Sequence, residues 1–324
     1  MSYNIVSGPE LAVISGPEKE GLVGSKVRVS QKRDTSDLGK KFNYLRLNGD
    51  LQFEPCPSTT RERDIFYICG PSGSGKSWFT KLFLQNYHRQ HPRRTIYMFS
   101  KVADDRSLKG VPIKRAKIDD RLISEPFDVA DFANSCIVFD DIDTLKSKEE
   151  RGALNQLKND VLETGRHHNV TAVITSHLPT KGQETRTALN ESHNVVLYPS
   201  SGMPMDYLLK AYMGFDHKQV KKFKSLPSRW VMIHRHYPQT IITEKELFPL
   251  KSLADHETVE DDAELGKEGE KEVTVYKTRR GRKRKVIEEQ WPSVTCQCGA
   301  KVKKNNYSRH LKTKAHQQYE IEQG

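Results

Sequence analysis

The chain has 324 residues, of which 35% are hydrophobic and 29% charged, with a net charge of +11. This length accommodates one large α/β core with a small appendage, and the low apolar fraction assigns part of the chain to solvated linker. No run of about 18 apolar residues occurs, Met1 to Gly24 lacks a basic-then-apolar signal pattern, and the five scattered cysteines argue against a disulfide framework, so a soluble, intracellular protein without a membrane partner is expected.

Charge is unevenly held along the chain. From Ala254 to Glu272 nine acidic residues face two lysines, a net −7, whereas Lys277 to Lys285 carries +7. Residues 286–324 add +2, which leaves +9 on residues 1–253. An excess of that size suits a polyanion such as nucleic acid; the alternative is a solvated face that aids solubility.

In chain order, residues 1–41 are rich in Gly, Ser, Lys and Glu. Ser7-Gly8-Pro9-Glu10 is echoed by Ser15-Gly16-Pro17-Glu18, and the segment reads as a flexible lead-in. Phe42 to Phe53, interrupted by Asn48-Gly49, predicts a small hairpin. Asp64 to Cys69 is an apolar strand, and directly after it Gly70-Pro71-Ser72-Gly73-Ser74-Gly75-Lys76-Ser77 fits G-x-x-x-x-G-K-[ST]. The glycines let backbone N–H groups close around the phosphates of ATP, Lys76 reaches the β- and γ-phosphates, and the Ser77 hydroxyl ligates Mg²⁺. Trp78, Phe79, Leu82, Phe83 and Tyr87 then recur at helical spacing, so a helix N-terminus adds its partial positive charge to the anion site.

Thr95 to Ser100 predicts a second strand. Cys136-Ile137-Val138-Phe139 is a third, and it runs into Asp140-Asp141. Beside a phosphate loop this pair reads as the second half of a nucleotide site: Asp140 holds Mg²⁺ through water and Asp141 orients or activates the attacking water. Taken alone, the pair reads as carboxylates capping the next helix. That helix is predicted over about Lys148 to Thr164, with Leu154, Leu157 and Val161 on one face and Gly165 as its C′ residue. Arg166-His167-His168-Asn169 follows. Val170 to Thr175 is a further strand, and His177, beyond its carboxyl end, is placed to sense the γ-phosphate. Asn194 to Tyr198 is a strand, Met205 to Met213 and Asp216 to Lys224 are helices, and Arg229 to Ile233 with Gln239 to Thr243 predict a closing hairpin around Tyr237-Pro238. The alternation predicts an α/β fold over residues 42–253, a P-loop NTPase of the ASCE type with a mostly parallel sheet covered by helices.

Beyond the core, residues 254–290 read as a charged linker ending in a basic run, with Lys277, Arg279, Arg280, Arg282, Lys283, Arg284 and Lys285 as its cations. Such a run neutralises DNA phosphates or serves as a nuclear localisation signal, and Arg280-Gly281-Arg282 is similar to an AT-hook core without its proline. A solvated run with no fixed partner is the third alternative. Residues 291–324 read as a zinc-finger-like module in which Cys296, Cys298, His310 and His316 supply two sulfurs and two imidazoles to Zn²⁺, although C-x-C is tighter than the usual C-x₂₋₄-C. Free cysteines beside surface histidines are the alternative.

Through Gly70–Ser77, Ile137–Asp141, Gly165–Asn169 and Ser225–Val231 the chain resembles the genome-packaging ATPases of large DNA viruses, virophages and polinton-like elements, within the FtsK/HerA superfamily. The resemblance spans about Phe42 to Leu250. It implies an ATPase that assembles as a homo-oligomeric ring and drives double-stranded DNA into a capsid, at a viral assembly site in the nucleus or cytoplasm or in the virion, with capsid proteins as partners. It also implies Asp141 as the water-activating carboxylate where many members have glutamate, His177 where relatives often carry a glutamine sensor, and Arg166 either as an arginine finger across a subunit boundary or as a cation at a helix C-terminus. Two other functions fit less of the chain: a DNA-tethering protein in which ATP only switches conformation, and a small-molecule kinase, which needs neither the basic core nor the tail.

Overall fold

The computed structural model describes residues 2–5, 8–17, 21–30, 41–102, 105–180, 182–255, 273–279, 293–295 and 301–303. The chain divides into two compact units, Met1–Arg279 and Arg280–Gly324. The first begins with β1 (Ser2–Asn4), β2 (Glu10–Ser15) and β3 (Lys26–Ser30), then β4 (Lys41–Leu47) and β5 (Gln52–Glu54). The segment carrying the glycine-rich loop follows as β6 (Ile65–Cys69), α1 (Lys76–Gln90), β7 (Ile96–Ser100), β8 (Ile113–Arg115), α2 (Arg121–Ser124), β9 (Cys136–Asp140), α3 (Lys148–Thr164) and β10 (Thr171–Ser176). It closes with α4 (Gln183–Glu191), β11 (Asn194–Leu197), α5 (Asp206–Ala211), α6 (His217–Lys224), β12 (Val231–His234), β13 (Thr240–Thr243), β14 (Glu246–Pro249) and β15 (Val273–Arg279).

The central sheet runs β15-β4-β14-β13-β12-β11-β6-β10-β9-β7-β8. From β8 to β11 every pairing is parallel, and from β11 to β15 every pairing is antiparallel. The parallel strands are covered on both faces, so β6, β9 and β10 are near-continuous apolar runs rather than alternating ones. On one face Leu154, Leu157 and Val161 of α3 pack with Ile137, Phe139 and Ile174. On the other, Phe79, Phe83 and Tyr87 of α1 lie at helical spacing over Phe66 and Ile68, with the Phe66 and Phe83 rings 4.3 Å apart. Burying one such aromatic side chain stabilises the fold by about 3 kcal/mol.

Four sequence expectations need correction. The described residues of the lead-in form β1, β2 and β3, which with β5 make an antiparallel sheet ordered β1-β3-β2-β5, and Leu11, Ala12, Ile14, Val27 and Val29 are buried in the α1-side core. The Gly-Pro-Glu repeats punctuate strands there. Phe42 to Phe53 does not close a hairpin: β4 joins the central sheet and β5 pairs with β2, because the turn at Asn48 to Leu51 redirects the chain between sheets. Within the expected linker, Val273–Arg279 is a strand paired with β4 over seven residues, and its β-branched Val-Thr-Val start outweighs the charge around it. Gly165 has a helical φ of −57°, and the left-handed residue that ends this turn is Asn169 at 53°. A Cβ at Gly165 would stand 2.7 Å from Arg63 Nη1, and the Arg63 guanidinium donates to the terminal α3 carbonyls of Val161 (2.5 Å) and Leu162 (2.6 Å).

The second unit pairs β16 (Ser293–Thr295) antiparallel with β17 (Lys301–Lys303). Cys296, Cys298, His310 and His316 lie outside the described residues, as do Arg280, Arg282, Lys283, Arg284 and Lys285. Among the described residues no helix is long and apolar enough to cross a membrane.

At the edge of the first unit, His193, His234 and His236 gather with ring centroids 4.5 and 5.7 Å apart. Burial, together with neighbouring cationic groups including Arg61, pushes the His193 imidazole down to about 3 and His234 well below its ordinary value. Below about pH 6.5 the unfolded chain takes up protons that these rings refuse in the fold. Their contribution to stability is therefore complete above about pH 6.5 and is lost as pH falls towards 3. The midpoint of urea unfolding is expected to fall between pH 7.5 and pH 5, and His193→Gln to lessen that fall; an equal fall in the variant would clear this ring of the effect.

Candidate active site

The site forms where β6, β9 and β10 end side by side. From Cys69 the chain enters the loop and turns into α1, whose N-cap is Gly75 in a left-handed conformation (φ 115°), with no side-chain cap and no acidic residue in the first turn. By contrast, α3 and α6 have their first turns capped by Ser147 and Asp216. Uncapped N–H groups at the positive end of a helix are a ready anion cradle. A Cβ at Gly70 would stand 2.5 Å from Ser74 Oγ and 2.6 Å from the Tyr198 ring, so glycine alone lets the loop close.

Lys76 is buried under this loop, and its Nζ donates to the Gly70 carbonyl at 2.8 Å and to His177 Nδ1 at 3.2 Å, with Asp141 Oδ2 at 3.8 Å. An ammonium group only donates, so Nδ1 is the acceptor and the ring proton sits on Nε2. Nε2 in turn meets Asp141 Oδ2 at 2.8 Å. His177 therefore bridges the loop lysine and the carboxylate. Ser100 Oγ donates to Asp140 Oδ2 (2.6 Å), and Thr175 Oγ1 donates to Asp140 Oδ1 (2.9 Å) while accepting the Asp141 amide (2.9 Å). Burial raises the pKa of the Asp141 carboxyl, Lys76 opposes that and Asp140 adds to it, and the net shift is upward.

The donor set fits Mg²⁺, which keeps several waters and takes one or two carboxylates plus substrate phosphates rather than a preformed cage. Ser77 and Asp140 fit that need, with Asp141 beside them. Among the described residues no group of three or more His, Cys, Asp or Glu side chains forms a metal cage. Asp105 brings a third carboxylate near: burial pushes its pKa up, but hydrogen bonds from the Ser107 amide and hydroxyl, with the Ser77 hydroxyl nearby, bring it below the ordinary value.

Sequence reasoning missed three groups here. Ser100 and Thr175 end strands that sequence assigned, but their roles depend on which strands lie adjacent. Arg229, 155 residues along the chain from Ser74, donates its Nε to the Ser74 carbonyl at 3.0 Å, and its guanidinium lies against Gly75. It is held there because Glu244 accepts the Arg229 amide (2.9 Å) and Trp230 packs edge-on against Phe79 of α1 at 4.9 Å. Arg166 is not in this group. It precedes β10, at the opposite end of the sheet from the loop, and is exposed with its Nε on Glu62 Oε2 at 2.6 Å.

A phosphate loop after β6, an acidic pair after β9, and between those strands a third whose end supplies the bridging histidine together define a P-loop NTPase fold with an added central strand. The chain belongs to the family of Uncharacterized protein V3 of Sputnik virophage, with which it is 36% identical over 247 residues, covering 75% of this chain and 96% of that one. No family model matches. Among solved structures, the genome packaging NTPase B204 of Sulfolobus turreted icosahedral virus 2 in complex with AMPPCP aligns with a TM-score of 0.39 and 11% identity, over 57% of this chain and 98% of that one. The pCW3 conjugation coupling protein TcpA aligns with a TM-score of 0.38 and 10% identity, over 71% of this chain and 75% of that one.

Removing the Arg229 hydrogen bond frees the Ser74 carbonyl and loosens the cradle. Arg229→Ala is expected to weaken binding of a non-hydrolysable ATP analogue roughly tenfold, about 1.5 kcal/mol, with little change in thermal midpoint. Unchanged affinity in isothermal titration would show that the loop keeps its shape without this arginine.

Proposed function

We propose that the chain is a Mg²⁺-dependent ATPase that translocates double-stranded DNA, as a ring of its own copies, to package a viral genome. The observation that carries the ATPase reading is the linkage Lys76–His177–Asp141 beneath an uncapped phosphate loop. The net charge of the first 253 residues and the motif resemblance support the DNA reading.

In this reading the Gly70 to Ser77 amides hold the phosphates, Lys76 moves its charge from the Gly70 carbonyl to them, and Ser77 with Asp140 holds the metal. Bound Mg²⁺ supplies neutralisation of the developing charge on the phosphate oxygens. Asp141 accepts the proton of the attacking water as the new P–O bond forms and the bond to the ADP oxygen breaks. A positioned base of this kind contributes about 10²- to 10⁴-fold. His177, bonded to both Lys76 and Asp141, registers whether the γ-phosphate draws Lys76 away. Arg166 is remote from its own site, so in this reading it serves only the site of a neighbouring copy.

Steady-state ATP hydrolysis with and without long duplex DNA tests the proposal. Hydrolysis is expected to rise with DNA and to be abolished by Lys76→Ala; tight ATP binding with negligible turnover under every DNA condition would favour the ATP-switched tether instead. Because Asp141 must be ionised and its pKa is raised by burial, the acid limb of kcat/KM is expected above the ordinary aspartate range near about 3.9. Asp141→Asn is expected to remove that limb along with most of the rate, and a limb left in place would assign it to another group.

A further inference from the structure

A groove of about 550 Å³ opens across the carboxyl ends of β7 and β8 and the segment that follows β9. Lys101, Arg115, Lys117 and Lys146 line it, all four exposed, over apolar surface from Ala116, Ile118 and Leu145. Two acidic residues share the lining. Asp119 is engaged by Arg121, with Nη2 to Oδ2 at 2.8 Å, and Glu150 sits in the first turn of α3, where the helix end attracts it. Arg115 is fixed by its bond to the Val102 carbonyl at 2.8 Å. Lys101 and Lys146 are not held by a hydrogen bond or ion pair among the described residues, and Lys117 adds its charge beside Asp119.

A concave surface of one charge concentrates the opposite charge, and the carboxyl edge of a parallel sheet is where such folds bind ligands. Cations over an apolar floor match a sugar–phosphate backbone, whose phosphates alternate with apolar sugar faces. The groove also touches the hydrolysis site at both lips. Lys101 follows Ser100, which donates to Asp140 and accepts the Val102 amide at 3.1 Å. Lys146 lies five residues beyond Asp141, past one short 3₁₀ turn (Ile142–Thr144).

We infer that this groove holds the phosphate backbone of duplex DNA and that Ser100 couples its occupancy to the metal-side carboxylate Asp140. The inference rests on the DNA-translocating reading above and names its contact surface. The groove, and not the seven-cation run at Lys277 to Lys285, is what ties DNA to the ATP site.

The test compares two full-length variants of equal net charge. One is Lys101→Gln/Lys117→Gln/Lys146→Gln; the other is Lys210→Gln/Lys218→Gln/Lys221→Gln, which removes three exposed lysines elsewhere. Duplex binding is measured against NaCl concentration, with thermal unfolding to confirm that both variants are folded. Each lost phosphate contact lowers the slope of log K against log[salt] by about 0.9, so the groove variant is expected to be shallower by about 2.7 than the control and to lose DNA stimulation of ATP hydrolysis. Equal slopes in the two variants, with wild-type binding intact, would overturn the groove alone. Tighter duplex binding by the groove variant would also overturn it, and would point to the acidic Ala254 to Glu272 stretch as the occupant. Absence of duplex binding by the wild type would overturn the DNA reading itself.

Discussion

With Ser176 paired to Cys69 on one side and Thr175 to Asp140 on the other, β10 is hydrogen-bonded between the strand that ends in the phosphate loop and the strand that ends in the acidic pair. That double register lets one hydroxyl, Thr175 Oγ1, hold both the Asp140 carboxylate and the Asp141 amide. It also carries His177 to a point where its two ring nitrogens reach Lys76 and Asp141. Strand side chains alternate, so a slip of one residue would turn Thr175 away from the carboxylates and dissolve the linkage. The apolar runs of β6, β9 and β10, covered on both faces, oppose such a slip.

The loop depends on contacts from well outside its own motif. Its carbonyl at Ser74 is held by Arg229, the ring of Tyr198 lies where a Gly70 side chain would be, and α1 is pinned by Phe79 against Trp230 and by Phe83 against Phe66. Arg229 is in turn set by Glu244, which follows β13 at the open end of the β12–β13 hairpin, on the loop side of the sheet. The antiparallel half of the sheet thus positions the loop that the parallel half carries. Preorganisation of this kind is needed because buried Lys76 and half-buried Asp141 lose hydration that fixed partners replace.

Electrostatics divides the molecule by function. Lys76, Asp140 and Asp141 form a compact set in which burial raises the pKa of the Asp141 carboxyl against the pull of Lys76. Cations of the β7–β8 groove stand beside that set without entering it. At the far end of β11 and β12, burial, with nearby arginines adding to it, keeps the rings of the histidine cluster neutral. Its effect is on stability at acid pH and not on the chemistry of the loop.

The nucleotide half of the site was legible because its signals are local. Eight consecutive residues from Gly70 to Ser77 carry the cradle, four apolar residues running into Asp140-Asp141 announce a strand end, and helix periodicity marks Lys148 to Thr164 in agreement with α3. His177 was placed by the end of its strand. Local sequence could not report partners distant along the chain: Arg229 reaches Ser74 from 155 residues away. The β-branched start of Val273 to Arg279 needs β4 as a pairing partner to become a strand. The N-terminal strands were hidden by Gly- and Pro-rich punctuation, since their burial needs the face of α1 that they cover. Residue types and spacing thus determined which chemistry this chain carries, because phosphate cradles and strand-end carboxylates are built from neighbours. The tertiary structure alone decided which side chains share the site and which surface adjoins it, because strand order and register are settled by burial across the whole sheet.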